Sequence, residues 1–266
     1  MTVQVPGLLG QHGHLAQWMG PRELFLAATG DYPLEWQEDY LLYSATHDAV
    51  VLKGRQVGAS TSAGVIAIRT ARYSPGSFCA IVSPSQKQST EVKERAKQGV
   101  LRLGDTLVKD NSTEIGFTNG SRIISLPGSA KSVRGWSCDL LVIDEAAFLD
   151  EETYLAARAT VATGGRVIVQ STPNGPYGPF YDAWEEAAHT PTWKRYRVSS
   201  EDVPTISKEF LARERAVLGK DEYAQEYLGV FTNPGLGLID PDRLASLTLK
   251  PDAQKAQDIW GRMRDR

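Results

Sequence analysis

What this sequence has little of narrows its chemistry first. Its 266 residues include two cysteines, Cys79 and Cys138, each inside an apolar run that reads as a buried strand. A disulfide between them is possible, but a chain of this size does not need one, and a reduced intracellular compartment is expected. The four histidines, His12, His14, His47 and His189, are scattered without metal-ligand spacing. No apolar run approaches the roughly 18 residues of a membrane span. Met1 to Gln11 lacks both a basic start and a long apolar core, so no secretory signal is expected. An excess of positive charge is missing as well: 29 Lys and Arg face 32 Asp and Glu, a net charge of −3. That removes any global signal for nucleic acid, and DNA contacts, if made, must be local. What remains is ordinary: 41% apolar and 23% charged residues support one large domain, or one domain with a small appendage.

The chain is organised around one stretch. Ala49-Val50-Val51-Leu52 reads as a buried strand, and a helical pattern through Ala63, Val65, Ile66, Ile68 and Ala71 begins shortly after it. Between them runs Lys53-Gly54-Arg55-Gln56-Val57-Gly58-Ala59-Ser60-Thr61, with two glycines and hydroxyls at a helix start. This is the layout of a phosphate-binding loop, in which backbone N–H groups and the helix dipole hold an anion. The usual Walker A spacing is not met: Ala59 stands where the lysine belongs, and Lys53 stands where the first glycine belongs. Lys53 can reach over the loop to the β- and γ-phosphates while Ser60 or Thr61 offers a hydroxyl to Mg²⁺. Alternatively, the loop has lost its phosphate lysine and Lys53 is a strand-end charge.

Further along, Cys138-Asp139-Leu140-Leu141-Val142-Ile143 reads as a strand buried on both faces, ending in Asp144-Glu145. Open α/β sheets bind ligands at that edge. Asp144 suits Mg²⁺, held through its water shell, and Glu145 suits orienting or deprotonating an attacking water, the pattern of a Walker B segment. Arg166 to Gln170 is another buried strand; Ser171 and Thr172 at its end can sense a γ-phosphate, and Pro173-Asn174-Gly175 turns the chain. Upstream, Trp36-Gln37 offers an aromatic face and an amide edge to adenine. A polar helix from about Gln86 to Leu103 carries Lys87, Lys93, Arg95, Lys97 and Arg102 as a solvated face. Thr113–Phe117 and Arg122–Leu126 form a hairpin around Asn119-Gly120. Helices are also expected around His14 to Trp18, from Pro21 through Ala28, around Tyr40 to Leu42, over 207–229, and starting at Asp240-Pro241. Trp193 to Val198 is a further strand.

In order and spacing these segments resemble the ATPase domain of tailed-phage large terminase subunits, DNA-packaging motors. The resemblance runs from about Tyr32 to Phe231. It rests on Trp36-Gln37, the Lys53 to Ser60 loop, Ser83-Pro84, Ser132-Val133-Arg134-Gly135, Val142 to Phe148, Ser171 to Gly175, and Glu226 to Phe231. Some terminases carry the loop lysine at its start, as here. The resemblance implies an α/β fold of the RecA-like (ASCE) P-loop NTPase kind: a mostly parallel sheet flanked by helices, with a strand inserted between the loop and carboxylate strands. It implies a core over 1–200 (with an N-terminal helical segment, 1–31), a helical lid over 201–235, and a linker or tail over 236–266. ATP and Mg²⁺ are the implied cofactors. Glu145, Lys53 and Arg134 are the implied catalytic residues, Arg134 as a finger offered to a neighbouring subunit, with Lys131 a lesser substitute.

Implied partners are double-stranded DNA, a homo-oligomeric ring, a portal protein, a small terminase subunit and a nuclease domain or subunit; no membrane is involved. The expected location is the host cytoplasm, transiently docked on the viral procapsid. Large terminases continue into a nuclease, but this chain stops soon after the lid and Asp240-x-Asp242 is too isolated to bind two metals, so no nuclease activity is expected. Two other readings stay open: a nucleotide-binding assembly module disabled by Ala59, and another translocase or helicase-like ATPase of the same class.

Overall fold

The computed structural model describes residues 19–233. The expected helices at His14 to Trp18 and at Asp240, and the tail from Lys250 to Arg266, lie outside them. Helices α1 (Pro21–Thr29) and α2 (Glu35–Tyr43) precede β1 (Asp48–Lys53), α3 (Ala59–Tyr73), β2 (Phe78–Ser83) and α4 (Gln86–Arg102). Then come β3 (Leu107–Asp110), β4 (Glu114–Phe117), β5 (Arg122–Pro127), α5 (Ala130–Val133) and β6 (Cys138–Asp144). The chain continues through α6 (Glu151–Arg158), β7 (Val161–Ser171), α7 (Pro179–Glu186), β8 (Trp193–Val198), α8 (Lys208–Val217) and α9 (Lys220–Leu228).

The strands form one eight-stranded sheet in the order β3-β4-β5-β2-β6-β7-β1-β8. From β5 to β8 every pairing is parallel, and the β3-β4-β5 edge is antiparallel. Strand β7 lies between β1 and β6, so the loop strand and the carboxylate strand are separated by one inserted strand, as expected. The apolar runs of β1 and β6 are continuous because both sheet faces are covered. Ala49 and Val51, with Leu140 and Val142, pack into one core with α3 and α4. Val50 and Leu52, with Leu141 and Ile143, pack into the other with α6 and α7. Each fully buried valine, leucine or isoleucine among them contributes roughly 1.5–3 kcal/mol relative to exposure. Both cysteines are free and buried within these layers.

Three features differ from the sequence reading. Lys93 is not on a solvated face: it is fully buried, and its Nζ donates to the carbonyls of Asn111 (2.7 Å) and Ser112 (3.2 Å) and pairs with Glu94 (2.7 Å). The ammonium directs its donors at the β3–β4 turn and so pins α4 to the sheet edge, which offsets the cost of its burial. Strand β3 and helices α5, α6 and α7 were not anticipated. β3 is mostly exposed and has no alternation to detect. α6 and α7 did carry start signals: Asp150 accepts from the Thr153 N–H with Glu151 and Glu152 in the first turn, and Pro179 opens α7. β7 also begins at Val161, ahead of the expected Arg166.

Among the described residues no helix is long and apolar enough to cross a membrane. After β8, α8 and α9 build a small cluster of Leu211, Tyr223 and Tyr227.

Candidate active site

The loop between β1 and α3 lines a cleft of about 720 Å³. Gly58 caps α3 at φ 86°, where a side chain is strained, and no side chain caps this helix. The first N–H groups of α3 therefore remain available for an anion at the positive end of the helix dipole. No acidic residue occupies that first turn. Gln56 also adopts a left-handed backbone, φ 61°, and Val57 anchors the loop in the core. Nonglycine residues in that region mark a conformation that the surroundings enforce.

Lys53, the last residue of β1, turns its Nζ to within 2.6 Å of Glu145 Oε1 across the cleft. The lysine side chain is 7% exposed and that of Glu145 22%, so this pair is far less screened than a surface salt bridge. Glu145 itself sits at φ 53° just past β6, which aims its carboxylate back over the sheet edge. Its Oε2 accepts from the Thr172 N–H (3.3 Å) and faces the hydroxyls of Ser171 (3.3 Å) and Thr172 (3.5 Å). One residue earlier, Asp144 Oδ2 accepts from Ser60 Oγ at 3.2 Å and Oδ1 from Gln170 Nε2 at 2.7 Å. Burial pushes the Asp144 carboxyl up from its ordinary range and the neighbouring Glu145 adds to this, while Lys53, Gln170 and Ser60 oppose them. A fixed hydroxyl beside a carboxylate is an oxygen donor set suited to Mg²⁺, which keeps several waters and needs only one or two protein ligands besides phosphate. The donors present therefore fit the group, although no larger His, Cys, Asp and Glu cluster exists among the described residues.

The structure thus brings Lys53, Gly54, Arg55, Gln56, Val57, Gly58, Ala59, Ser60 and Thr61 to one cleft with Glu145 and Thr172. It departs from expectation at three residues. Trp36 does not line the cleft: it stacks on Tyr40 (6.0 Å between centroids) beside a separate groove. Gln37 does not present its amide to a base: Oε1 accepts from the Leu34 N–H, and Nε2 donates to Gly58 O (3.4 Å) and Ser62 Oγ (3.1 Å). As the third residue of its helix, Gln37 reaches back to satisfy the N-cap N–H, and its other end braces the phosphate loop. Ser171 is fully buried behind Glu145 rather than at the cleft surface. Arg134, expected to serve a neighbouring subunit rather than its own, lies outside its own chain's cleft, exposed and 2.9 Å from Glu152.

Some cleft residues were missed. Gln88 and Arg95, two turns apart on α4, line it with Phe148, and Arg95 Nη1 donates to Thr61 Oγ1 at 3.4 Å. Their seven-residue spacing was a signal, masked by the surrounding charges. The region after β8 also touches the loop. The Arg55 N–H donates to Glu226 O (2.8 Å), the Arg55 guanidinium pairs with the Glu226 carboxylate, and Ser200 Oγ donates to Arg55 O (2.6 Å). The Glu226 hydrogen bond holds the Arg55 guanidinium above its ordinary range. Gly54 makes this approach possible, because a Cβ there would lie 2.3 Å from Tyr227 O and 2.4 Å from Ser200 Oγ. Gly54→Ala should accordingly lower stability by about 2 kcal/mol, read as a lower melting temperature. An unchanged melt would show that α9 does not rest on the loop.

A phosphate loop, an Asp-Glu pair one strand away and a mostly parallel sheet define a RecA-like P-loop NTPase. Residues 50–246 match the family model described as terminase large subunit, T4likevirus-type, N-terminal, and the chain belongs to that family. A protein of Enterobacteria phage P7 described as "Probable terminase, large subunit" is 24% identical over 208 residues, 69% of this chain and 42% of that protein. The chain thus spans well under half of that relative. The large terminase ATPase domain of Thermus phage P74-26 is similar in structure at a TM-score of 0.67 and 21% identity, covering 80% of this chain and 100% of that one. The large terminase of bacteriophage HK97 gives 0.64 at 15% identity, covering 80% of this chain and 56% of that one. The large terminase of another thermophilic bacteriophage, in complex with ADP, gives 0.63 at 14% identity, covering 74% of this chain and 53% of that one. At these identities the likeness establishes the fold.

Proposed function

We propose that this chain hydrolyses ATP and that hydrolysis drives double-stranded DNA into a viral procapsid. The observation that carries the reading is the Lys53–Glu145 pair across the cleft, beside Ser60 and Asp144. The thermophilic-phage terminase solved with ADP was also solved with ATP-γ-S, which supports a nucleotide in the equivalent fold. The N–H groups of the loop and of α3 cradle phosphate oxygens, and Lys53 supplies the ammonium that the usual loop position lacks. Mg²⁺, when bound, would be held by Ser60 and Asp144 and would neutralise phosphate charge. Glu145, oriented by Ser171 and Thr172, takes a proton from water or aligns it once Lys53 turns to phosphate. Residues 1–200 serve as the motor core, 201–235 as a lid touching the loop through Glu226, and 236–266 as a linker toward a nuclease domain or subunit. A ring of copies, a portal protein and a small terminase subunit complete the assembly, at the procapsid in the host cytoplasm.

The test is phosphate release by the assembled protein with and without double-stranded DNA, at varied Mg²⁺. Mg²⁺-dependent turnover, raised by DNA, is expected. Nucleotide binding without turnover under every condition would favour the assembly module instead.

Arg134 carries a separate prediction. Its partner Glu152 is as exposed as itself, and such pairs add little stability, so Arg134→Ala should fold and bind nucleotide normally. Turnover should fall by about 10³-fold or more if it acts as a finger. Mixing Arg134→Ala with Asp144→Asn subunits should restore part of the activity, since one interface then holds both intact parts. No recovery in confirmed mixed assemblies would exclude a role between subunits.

A further inference from the structure

Gln170 sits in the apolar run Val167-Ile168-Val169 and is itself fully buried. A buried amide is costly unless its polar atoms are satisfied, and here both ends are used. Nε2 donates to Asp144 Oδ1 at 2.7 Å, and Oε1 accepts from the Tyr40 hydroxyl at 3.3 Å. The orientation follows from chemistry, because an ionised carboxylate can only accept and so takes the amide NH₂. Asp144 is left with Oδ2 facing Ser60 Oγ. Tyr40 is fully buried and held by the rings of Trp36 and Tyr196, with centroids 6.0 Å and 5.2 Å away. Its helix, α2, also carries Gln37, which grips Gly58 O and Ser62 Oγ. One helix therefore braces both the phosphate loop and, through Gln170, the carboxylate opposite it.

We propose that Gln170, braced by Tyr40, is a positioning residue that turns Asp144 toward Ser60 and thereby sets how tightly the site takes Mg²⁺ with a nucleotide. The inference rests on reading Ser60 and Asp144 as the Mg²⁺ side of an ATP site. Without the Gln170 donor, Oδ1 is buried and unsatisfied, and the carboxylate is free to rotate away from the loop. Hydrogen-bonding partners behind a metal-binding carboxylate commonly matter about tenfold or more to metal affinity.

The experiment uses the full chain and a fluorescent N-methylanthraniloyl ADP, titrated with MgCl₂, alongside thermal melting and phosphate release. Gln170→Met keeps length and loses the amide. It should raise the Mg²⁺ concentration at half-saturation about tenfold, leave Mg²⁺-free nucleotide binding within about twofold of wild type, and lower kcat. Tyr40→Phe removes one oxygen from a well-packed ring and should act in the same direction by about threefold. If Gln170→Met melts too low to assay, Tyr40→Phe decides alone. Lower melting temperatures with an unchanged Mg²⁺ midpoint would overturn the proposal and leave a core hydrogen bond. Wild-type protein that shows no Mg²⁺-dependent nucleotide binding would overturn the ATP-site reading itself, and this inference with it.

Discussion

Glu145→Gln should leave nucleotide binding intact and reduce turnover by ~10²–10⁴-fold, the range expected for loss of a general base. The structure adds a second consequence. Glu145 serves two donor sets at once, Lys53 at Oε1 and Thr172 with Ser171 at Oε2. A glutamine has one acceptor oxygen, so its NH₂ must face either the ammonium or the Thr172 N–H. Lys53, with a side chain only 7% exposed, then loses its hydrogen-bonded carboxylate and keeps only the Asp144 charge nearby. The free protein should lose roughly 1–3 kcal/mol of stability, and added nucleotide should restore more of it than in wild type because phosphate replaces the missing carboxylate. Nucleotide affinity should hold or rise, since Glu145 no longer competes for Lys53. Thermal melts with and without nucleotide, beside phosphate release, check all three. Turnover near the wild-type rate in Glu145→Gln would remove Glu145 from the chemistry.

The parts of this site that were legible in sequence are those fixed by backbone layout. The buried strand before Lys53, the double-glycine loop and the Asp-Glu pair after Ile143 announce a phosphate site because strand, turn and helix start are local patterns. Those local patterns placed Ser60 near Asp144 across 84 residues of sequence, because parallel strands deliver their C-terminal ends to one edge. What the sequence hid is which partners the side chains take. Gln37 reads equally well as a base-reading amide or a brace, and only the position of Gly58 and Ser62 decides it. Lys93 and Arg95 look alike on a charged helix, yet one is pinned under the β3–β4 turn and the other lines the cleft. Gln170 looks like one polar residue closing a strand, and its two partners come from β6 and α2. Long-range pairings of this kind leave no periodicity to read.

Lys53→Ala tests the displaced lysine directly. It removes the one ammonium that β1 delivers to the cleft, and turnover should drop by ~10²–10³-fold, as when a preorganised donor to a transition-state oxygen is lost. Stability should suffer less than in Glu145→Gln. The orphaned partner is now Glu145, whose side chain is 22% exposed and keeps the Thr172 and Ser171 donors. That asymmetry separates the two variants by melting temperature alone. Ala59 offers a way back. It is the first residue of α3 and lines the same cleft, so a lysine there restores the usual Gly-Lys-Ser end of the loop. Lys53→Ala combined with Ala59→Lys should recover at least about tenfold of the lost turnover, because the site requires an ammonium near the phosphates rather than a particular sequence position. Ala59→Lys alone places two ammoniums in one cleft and should weaken the free protein until nucleotide is added, by like-charge repulsion. If Lys53→Ala retains turnover within about threefold of wild type, Lys53 is a strand-end charge that neutralises Glu145, and the phosphates are held by the backbone and by another cation in the cleft, with Arg55 and Arg95 the two that line it.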